Sequence, residues 1–179
     1  MRKYTTAKTM ISALFIASGI QCVNAAPLLV NITGNVIASP CNVDTANTNL
    51  NVNLGDIPAT DMTSAGVYGG TEQAFTVALK DCPASTTKSL ATFSGTPYTG
   101  NNMLFANTGT ATGLGVKIIP ASAAWSDTSV NPGQGTWLQT INATTHTVSY
   151  PFKARAFTST GNVTPGTIIS TMQIDFTYQ

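Results

Sequence analysis

The run that most limits what this chain can become is its last one, Gly166-Thr-Ile-Ile-Ser-Thr-Met-Gln-Ile-Asp-Phe-Thr-Tyr-Gln179. Ile168, Met172, Ile174, Phe176 and Tyr178 recur at alternate positions on one face, and Ser170 is the single interruption. Ile169, Thr171, Gln173, Asp175 and Thr177 form the other, mostly polar, face. Side chains of a strand point alternately to its two faces, so this pattern predicts a strand with one buried side. No turn or partner strand is written after it. A strand so placed leaves an unpaired edge beside it, and such an edge is a template for another strand.

The opposite end predicts where the chain goes. Arg2, Lys3 and Lys8 precede the apolar stretch Met10-Ile-Ser-Ala-Leu-Phe-Ile-Ala-Ser-Gly-Ile20, and the small-residue pattern Val23-Asn-Ala25 follows. Basic region, apolar core and small-residue site together read as a secretory signal peptide over residues 1–25, leaving a chain that starts at Ala26-Pro27. The apolar stretch falls short of the roughly 20 residues that span a bilayer. Gln21 before Cys22 is not the small residue a lipoprotein site requires, so Cys22 departs with the signal.

Without that segment the charge balance is five basic residues against seven acidic ones, a formal −2. So few cations give no electrostatic footing for nucleic acid. Thr, Ser, Asn, Gly and Ala dominate a length that suits one domain. Cys41 and Cys82 remain, and in an exported chain such a pair predicts a disulfide with a single connectivity, tying the first strand to the third. With His146 the only histidine and no Cys-x-x-Cys pair, neither a metal site nor a cofactor is indicated.

Between the ends the pattern is strand, turn, strand. Alternation or β-rich runs occur at residues 28–37, 50–54, 75–82, 89–94, 115–119, 136–141 and 148–157, before the final strand. Turn-rich stretches at residues 56–70, 95–102, 120–135 and 160–166 separate them, and no useful helix-period window appears. The expectation is an all-β antiparallel sandwich. It is not an antibody-type domain, which places a tryptophan between its cysteines and a tyrosine two residues before the second. Here Trp125 and Trp137 both follow Cys82, and Lys80 stands where that tyrosine belongs.

Four features taken together resemble the chaperone–usher pilins, subunits of type 1-like fimbriae of Gram-negative bacteria. Val30-Asn-Ile-Thr-Gly-Asn-Val36 followed by Pro40-Cys41 resembles a pilin donor extension and first cysteine. Cys82 falls at the distance of the second, Gly166 is fourteenth from the last residue, and Tyr178 is penultimate. The resemblance implies an incomplete immunoglobulin-like β-sandwich that lacks its last strand and is completed by a donor strand from a chaperone or the next subunit. It implies a signal peptide at 1–25, a donor-strand extension at 26–37 and a pilin domain at 38–179. The implied function is that of a structural subunit of an adhesive surface fimbria, reached through the periplasm. Its implied partners are a periplasmic pilus chaperone, an outer-membrane usher and neighbouring pilins.

By that resemblance the donor face is Leu28, Val30, Ile32, Gly34 and Val36, spanning roughly 30 Å at the usual strand rise. Gly34 within an apolar row is expected where an acceptor groove has no room for a side chain. The acceptor strand, which the chaperone also engages, runs through Gly166, Ile168, Met172, Ile174, Phe176, Tyr178 and Gln179. The Gln179 carboxylate is the expected anchor for basic residues of the chaperone.

Two other classes have weaker support. A carbohydrate-binding module would use Trp125, Trp137, Tyr68 and Tyr98 as a stacking platform. A hydrolase would have to use His146, which sits in the polar stretch Ala143-Thr-Thr-His-Thr147 and reads as an exposed turn residue, and there is no Gly-x-Ser-x-Gly elbow. No catalytic residues are expected. The Asn-x-Thr triplets at Asn31, Asn142 and Asn162 reflect a Thr/Asn-rich composition.

Overall fold

The computed structural model describes residues 31–36 and 39–179, so the expected signal peptide and the first residues of the extension lie outside the described part. The chain divides into two compact units, Met1–Asn35 and Val36–Gln179. Of the predicted strand at 28–37, the described residues 31–36 carry no assigned secondary structure, and Ile32 is 91% exposed.

The second unit is almost wholly β. Its strands are β1 (Asn42–Val43), β2 (Val67–Lys80), β3 (Lys88–Ser94), β4 (Pro97–Tyr98), β5 (Asn101–Ala106), β6 (Gly115–Pro120), β7 (Gly133–Thr140), β8 (Val148–Thr158) and β9 (Gln173–Tyr178), with one short 3-10 turn at Ala59–Met62. They form a six-stranded sheet in the order β1-β2-β8-β6-β5-β4 and a three-stranded sheet in the order β7-β3-β9, all pairs antiparallel. This is the expected immunoglobulin-like sandwich, two sheets enclosing one core.

Inward residues alternate along β8, where Val148, Tyr150, Phe152, Ala154 and Ala156 are buried. Phe152 stacks on Phe75 at 5.1 Å between centroids and meets Phe93 of the other sheet edge-on at 5.7 Å. Trp137 packs edge-on against Tyr150 and Phe152 at 5.3 and 5.4 Å. Burying such rings supplies most of the folding drive, with pair geometry adding about 0.5–1.5 kcal/mol each. Tyr150 also donates a hydrogen bond to the Ser89 carbonyl at 2.7 Å, fastening one sheet to the other. Burial pushes the Tyr150 hydroxyl up to about 12, so it remains a donor throughout the physiological range.

Cys41 and Cys82 are bridged, with their Cα atoms 4.3 Å apart. The bond joins the start of β1 to the end of β2, neighbours in one sheet, rather than a first and a third strand. Closing 41 residues of chain separation contributes about 4 kcal/mol in the chain-entropy model.

The architecture departs from the sequence reading in four places. β2 begins at Val67, inside a stretch read as turn-rich, because Gly69 and Gly70 there mark a register shift rather than a break. At Gly69 a Cβ would overlap Met62 Sδ and Ile57, so the strand holds a glycine where a side chain from below closes on its backbone. β4 and β5 lie in and beyond another stretch read as a turn. Residues 50–54 alternate as expected but carry no assigned strand. The last strand is shorter than its pattern, since the ladder with β3 starts only at Gln173.

Candidate strand-acceptor groove

The short ladder of β9 defines the site. Ser89 to Ser94 of β3 pair with Tyr178 to Gln173, and β9 ends the order of its sheet, so its far edge has no strand partner among the described residues. Ile174, Phe176 and Tyr178 pack against the core, Phe176 on Tyr150 at 5.4 Å between centroids, yet stay half-buried beside the open edge of β9. The facing lip is the unladdered run 48–59, with Leu50 76% exposed and Val52 and Leu54 half-buried against the core. Between the lips runs a groove of about 1010 Å³, floored by Phe75, Val77, Val116, Ile118 and Ala154. Asp56 is the one charged residue lining it.

The missing half of the predicted last strand is the other part of the same lip. Before Gln173 the chain leaves the small sheet and bonds to residues 107–112. Thr108 N donates to Ile169 O at 2.8 Å, Ala111 N to Thr167 O at 3.1 Å, and Ile169 N to Asn107 Oδ1 at 2.7 Å. Thr110 and Thr167 exchange backbone-to-hydroxyl bonds at 3.0 and 2.9 Å, and Thr112 pairs with Thr164 through hydroxyls at 2.8 Å. The Thr-rich composition therefore has a local use, zipping this lip to its neighbour. Gly166 sits where the two backbones converge: an added Cβ would overlap Ala111 N and lie 2.6 Å from the Thr110 carbonyl carbon. Close approach, rather than a left-handed turn, explains glycine at that position.

At the other end, Tyr178 packs against the core and Gln179 closes the ladder. Gln179 N donates to Lys88 O at 3.0 Å, and a Gln179 oxygen accepts from Thr87 N and Lys88 N at 2.7 and 3.0 Å. Burial pushes the Tyr178 hydroxyl up, with the Cys41 backbone acting in the opposite direction.

The structure brings Gly166, Ile168, Met172, Ile174 and Phe176 together along this groove, with Tyr178 and Gln179 continuing the same edge. Of the predicted donor face, Ile32, Gly34 and Val36 are exposed, while Leu28 and Val30 lie outside the described residues. Sequence reasoning missed the lip at Leu50, Val52, Leu54 and Ile57. Its signal was present in Leu50-Asn-Val-Asn-Leu54, a clean alternation that was read as an ordinary strand.

The aromatic platform does not assemble. Trp137 is half-buried against the core and packs on Tyr150 and Phe152, while Tyr68 and Trp125 pair with each other at 5.0 Å. Lys153 Nζ lies 5.4 Å from the Trp125 ring centroid and Arg155 Cζ 5.5 Å from that of Tyr68. His146 is half-buried with φ 54°, and its backbone serves the 142–147 turn and accepts from Cys82 N at 3.0 Å. Among the described residues no cluster of metal-ligating side chains occurs, and no helix is long and apolar enough to cross a membrane.

Comparison with known proteins gives this geometry its context. Residues 30–179 match the family described as Fimbrial protein. The chain belongs to that family. This fimbrial subunit is 33% identical over 173 residues to the S-fimbrial adhesin protein SfaS of Escherichia coli, covering 94% of this chain and 98% of that one. It is 29% identical over 168 residues to the protein FimG of Escherichia coli, covering 94% and 95%. To the type-1 fimbrial protein A chain of Escherichia coli it is 28% identical over 177 residues, covering 93% of each. The crystal structure of the CupB6 tip adhesin from Pseudomonas aeruginosa aligns with TM-score 0.45 at 13% identity over 78% of this chain and 44% of that one, too loosely to argue from. The protein is a structural subunit of a surface fimbrium, and its family is not one of enzymes.

Proposed function

We propose that this fimbrial subunit polymerises by donor-strand exchange, its groove accepting an extended segment first from a periplasmic chaperone and then from the next subunit at an outer-membrane usher. The observation that carries this reading is the groove of about 1010 Å³ beside the unpaired edge of β9. An open groove with a mainly apolar floor, beside an unpaired strand edge, is an association or aggregation site. Strand addition answers both of its deficits. Backbone bonds satisfy the edge, and alternate side chains fill the space between the lips.

The same chain carries the complementary segment. With residues 1–25 removed as a signal, residues 26–37 form the extension and 38–179 the domain. Leu28, Val30, Ile32 and Val36 would each contribute about 1.5–3 kcal/mol when fully buried. Holding donor and acceptor on one chain makes head-to-tail growth open-ended, as a filament requires.

Deleting residues 26–36 tests the proposal. The expected result is loss of fimbriae from the cell surface, counted by electron microscopy, while the subunit still purifies in a complex with its chaperone. Fimbriae of ordinary number and length from the deleted chain would refute the assignment of the extension.

A further inference from the structure

The groove-facing row of the acceptor lip is apolar except at one place. Ile168, Met172, Ile174 and Phe176 line the groove, and so does Ser170 between the first two. The Ser170 hydroxyl is shielded from solvent and has no hydrogen-bond partner among the described residues. It lies between the stretch that bonds to 107–112 and the stretch that pairs with β3. A buried hydroxyl without a partner is costly and needs a reason. Because the residue lines the groove, a turn about χ1 between staggered wells presents the hydroxyl to whatever lies there.

We infer that Ser170 fixes the register of the incoming strand by hydrogen-bonding its backbone at a position without a side chain, the occupant being residues 28–36 of a second copy of this chain. The inference rests on the strand-acceptor reading above. It is argued from a match between two rows. The donor row Leu28, Val30, Ile32, Gly34, Val36 is also broken once, at Gly34. Gly34 is second from the C-terminal end of its row, and Ser170 is second from the N-terminal end of the row from Ile168 to Phe176. Laid antiparallel, the two breaks coincide. Val36 then faces Ile168, Gly34 faces Ser170, Ile32 faces Met172, Val30 faces Ile174 and Leu28 faces Phe176. Laid parallel, Val30 covers the serine hydroxyl and Gly34 leaves a void beside Ile174. Slipping by one pair in the antiparallel sense puts Val36 over the serine in one direction and Ile32 over it in the other. Only the first alignment pairs apolar with apolar throughout and lets a bare backbone approach the hydroxyl.

The test uses the full chain purified from an exporting host, unfolded and refolded with a fluorescein-labelled peptide copying residues 28–36. Release is followed after a chase with unlabelled peptide. A second peptide has Ile32 and Gly34 interchanged. The native order is expected to be retained about tenfold longer than the interchanged one, the scale of one buried hydrogen bond lost. Ser170→Ala should remove most of that preference, and Ser170→Thr, which keeps a hydroxyl, should preserve it. Equal retention of both peptides by the unaltered chain overturns the proposal, whatever the variants do. Equal release of the native peptide from the unaltered chain and from Ser170→Ala overturns the role of Ser170 while leaving strand acceptance in place. If the unaltered chain retains neither peptide, strand acceptance fails and the register role fails with it.

Discussion

Replacing Gly34 by Asn should strip the cell surface of fimbriae while leaving the chaperone complex of this subunit at normal yield. The substitution is expected to be silent for the subunit's own fold, since residues 31–36 carry no assigned secondary structure and a Cβ on Gly34 meets nothing within 4 Å among the described residues. Its effect falls on the neighbour. An asparagine side chain enters a groove that already has lips and a floor of packed apolar residues, and overpacking costs about 1–3 kcal/mol. It also buries an amide whose two donors and carbonyl the single Ser170 hydroxyl opposite cannot all satisfy, adding about 1–3 kcal/mol. The two together weaken insertion by about thirtyfold to ten-thousandfold, and they halt a pairing that must pass the obstruction to reach the residues beyond. Electron microscopy counts the fimbriae, and co-purification measures the chaperone complex. Normal fimbriae combined with a lost chaperone complex would reverse the assignment of donor and acceptor ends.

Removing Tyr178 and Gln179 should do the opposite. The deletion takes away the bonds between Gln179 and the backbone of Thr87 and Lys88, together with a ring packed on the core beside β3. Each backbone bond contributes about 0.5–1.5 kcal/mol, and the half-buried ring adds a similar amount or more. Against a total stability of about 5–15 kcal/mol this loss is severe. On the proposed strand-acceptor reading it also shortens the edge along which a chaperone strand would bond. The expected outcome is disappearance of the chaperone complex and a fall in periplasmic subunit, read by quantitative immunoblot. An undiminished complex would show that the chaperone is held elsewhere.

Much of this was legible in the chain because alternation at a period of two is a direct record of which face is buried. It located β3, β6, β7 and β8 within a few residues, and it picked out the apolar row from Ile168 to Phe176 that lines the groove. It failed where one face is not enough to specify a partner. Residues 167–169 and 173–178 carry one continuous pattern, yet Thr167 and Ile169 bond to 107–111 and the second stretch to β3. Nothing in an alternating sequence says when a strand changes partners. Residues 50–54 show the converse, a perfect alternation with no ladder. Val52 and Leu54 still pack on the core, with no ladder partner beside them among the described residues. The start of β2 was hidden because Gly69 and Gly70 act as turn residues in most contexts and here serve a register shift under Met62 and Ile57.

That the sandwich is finished by a strand from outside is the central claim, and one measurement bears on it most directly. The chain lacking residues 26–36 is prepared with and without a peptide copying residues 28–36, and its thermal unfolding is followed by calorimetry. The account predicts aggregation or a weak, non-cooperative transition for the chain alone, and a soluble monomer with a single cooperative transition, shifted up by tens of degrees, once the peptide is bound. A chain that is soluble, monomeric and cooperative with no added strand, and unchanged when the peptide is supplied, would contradict it.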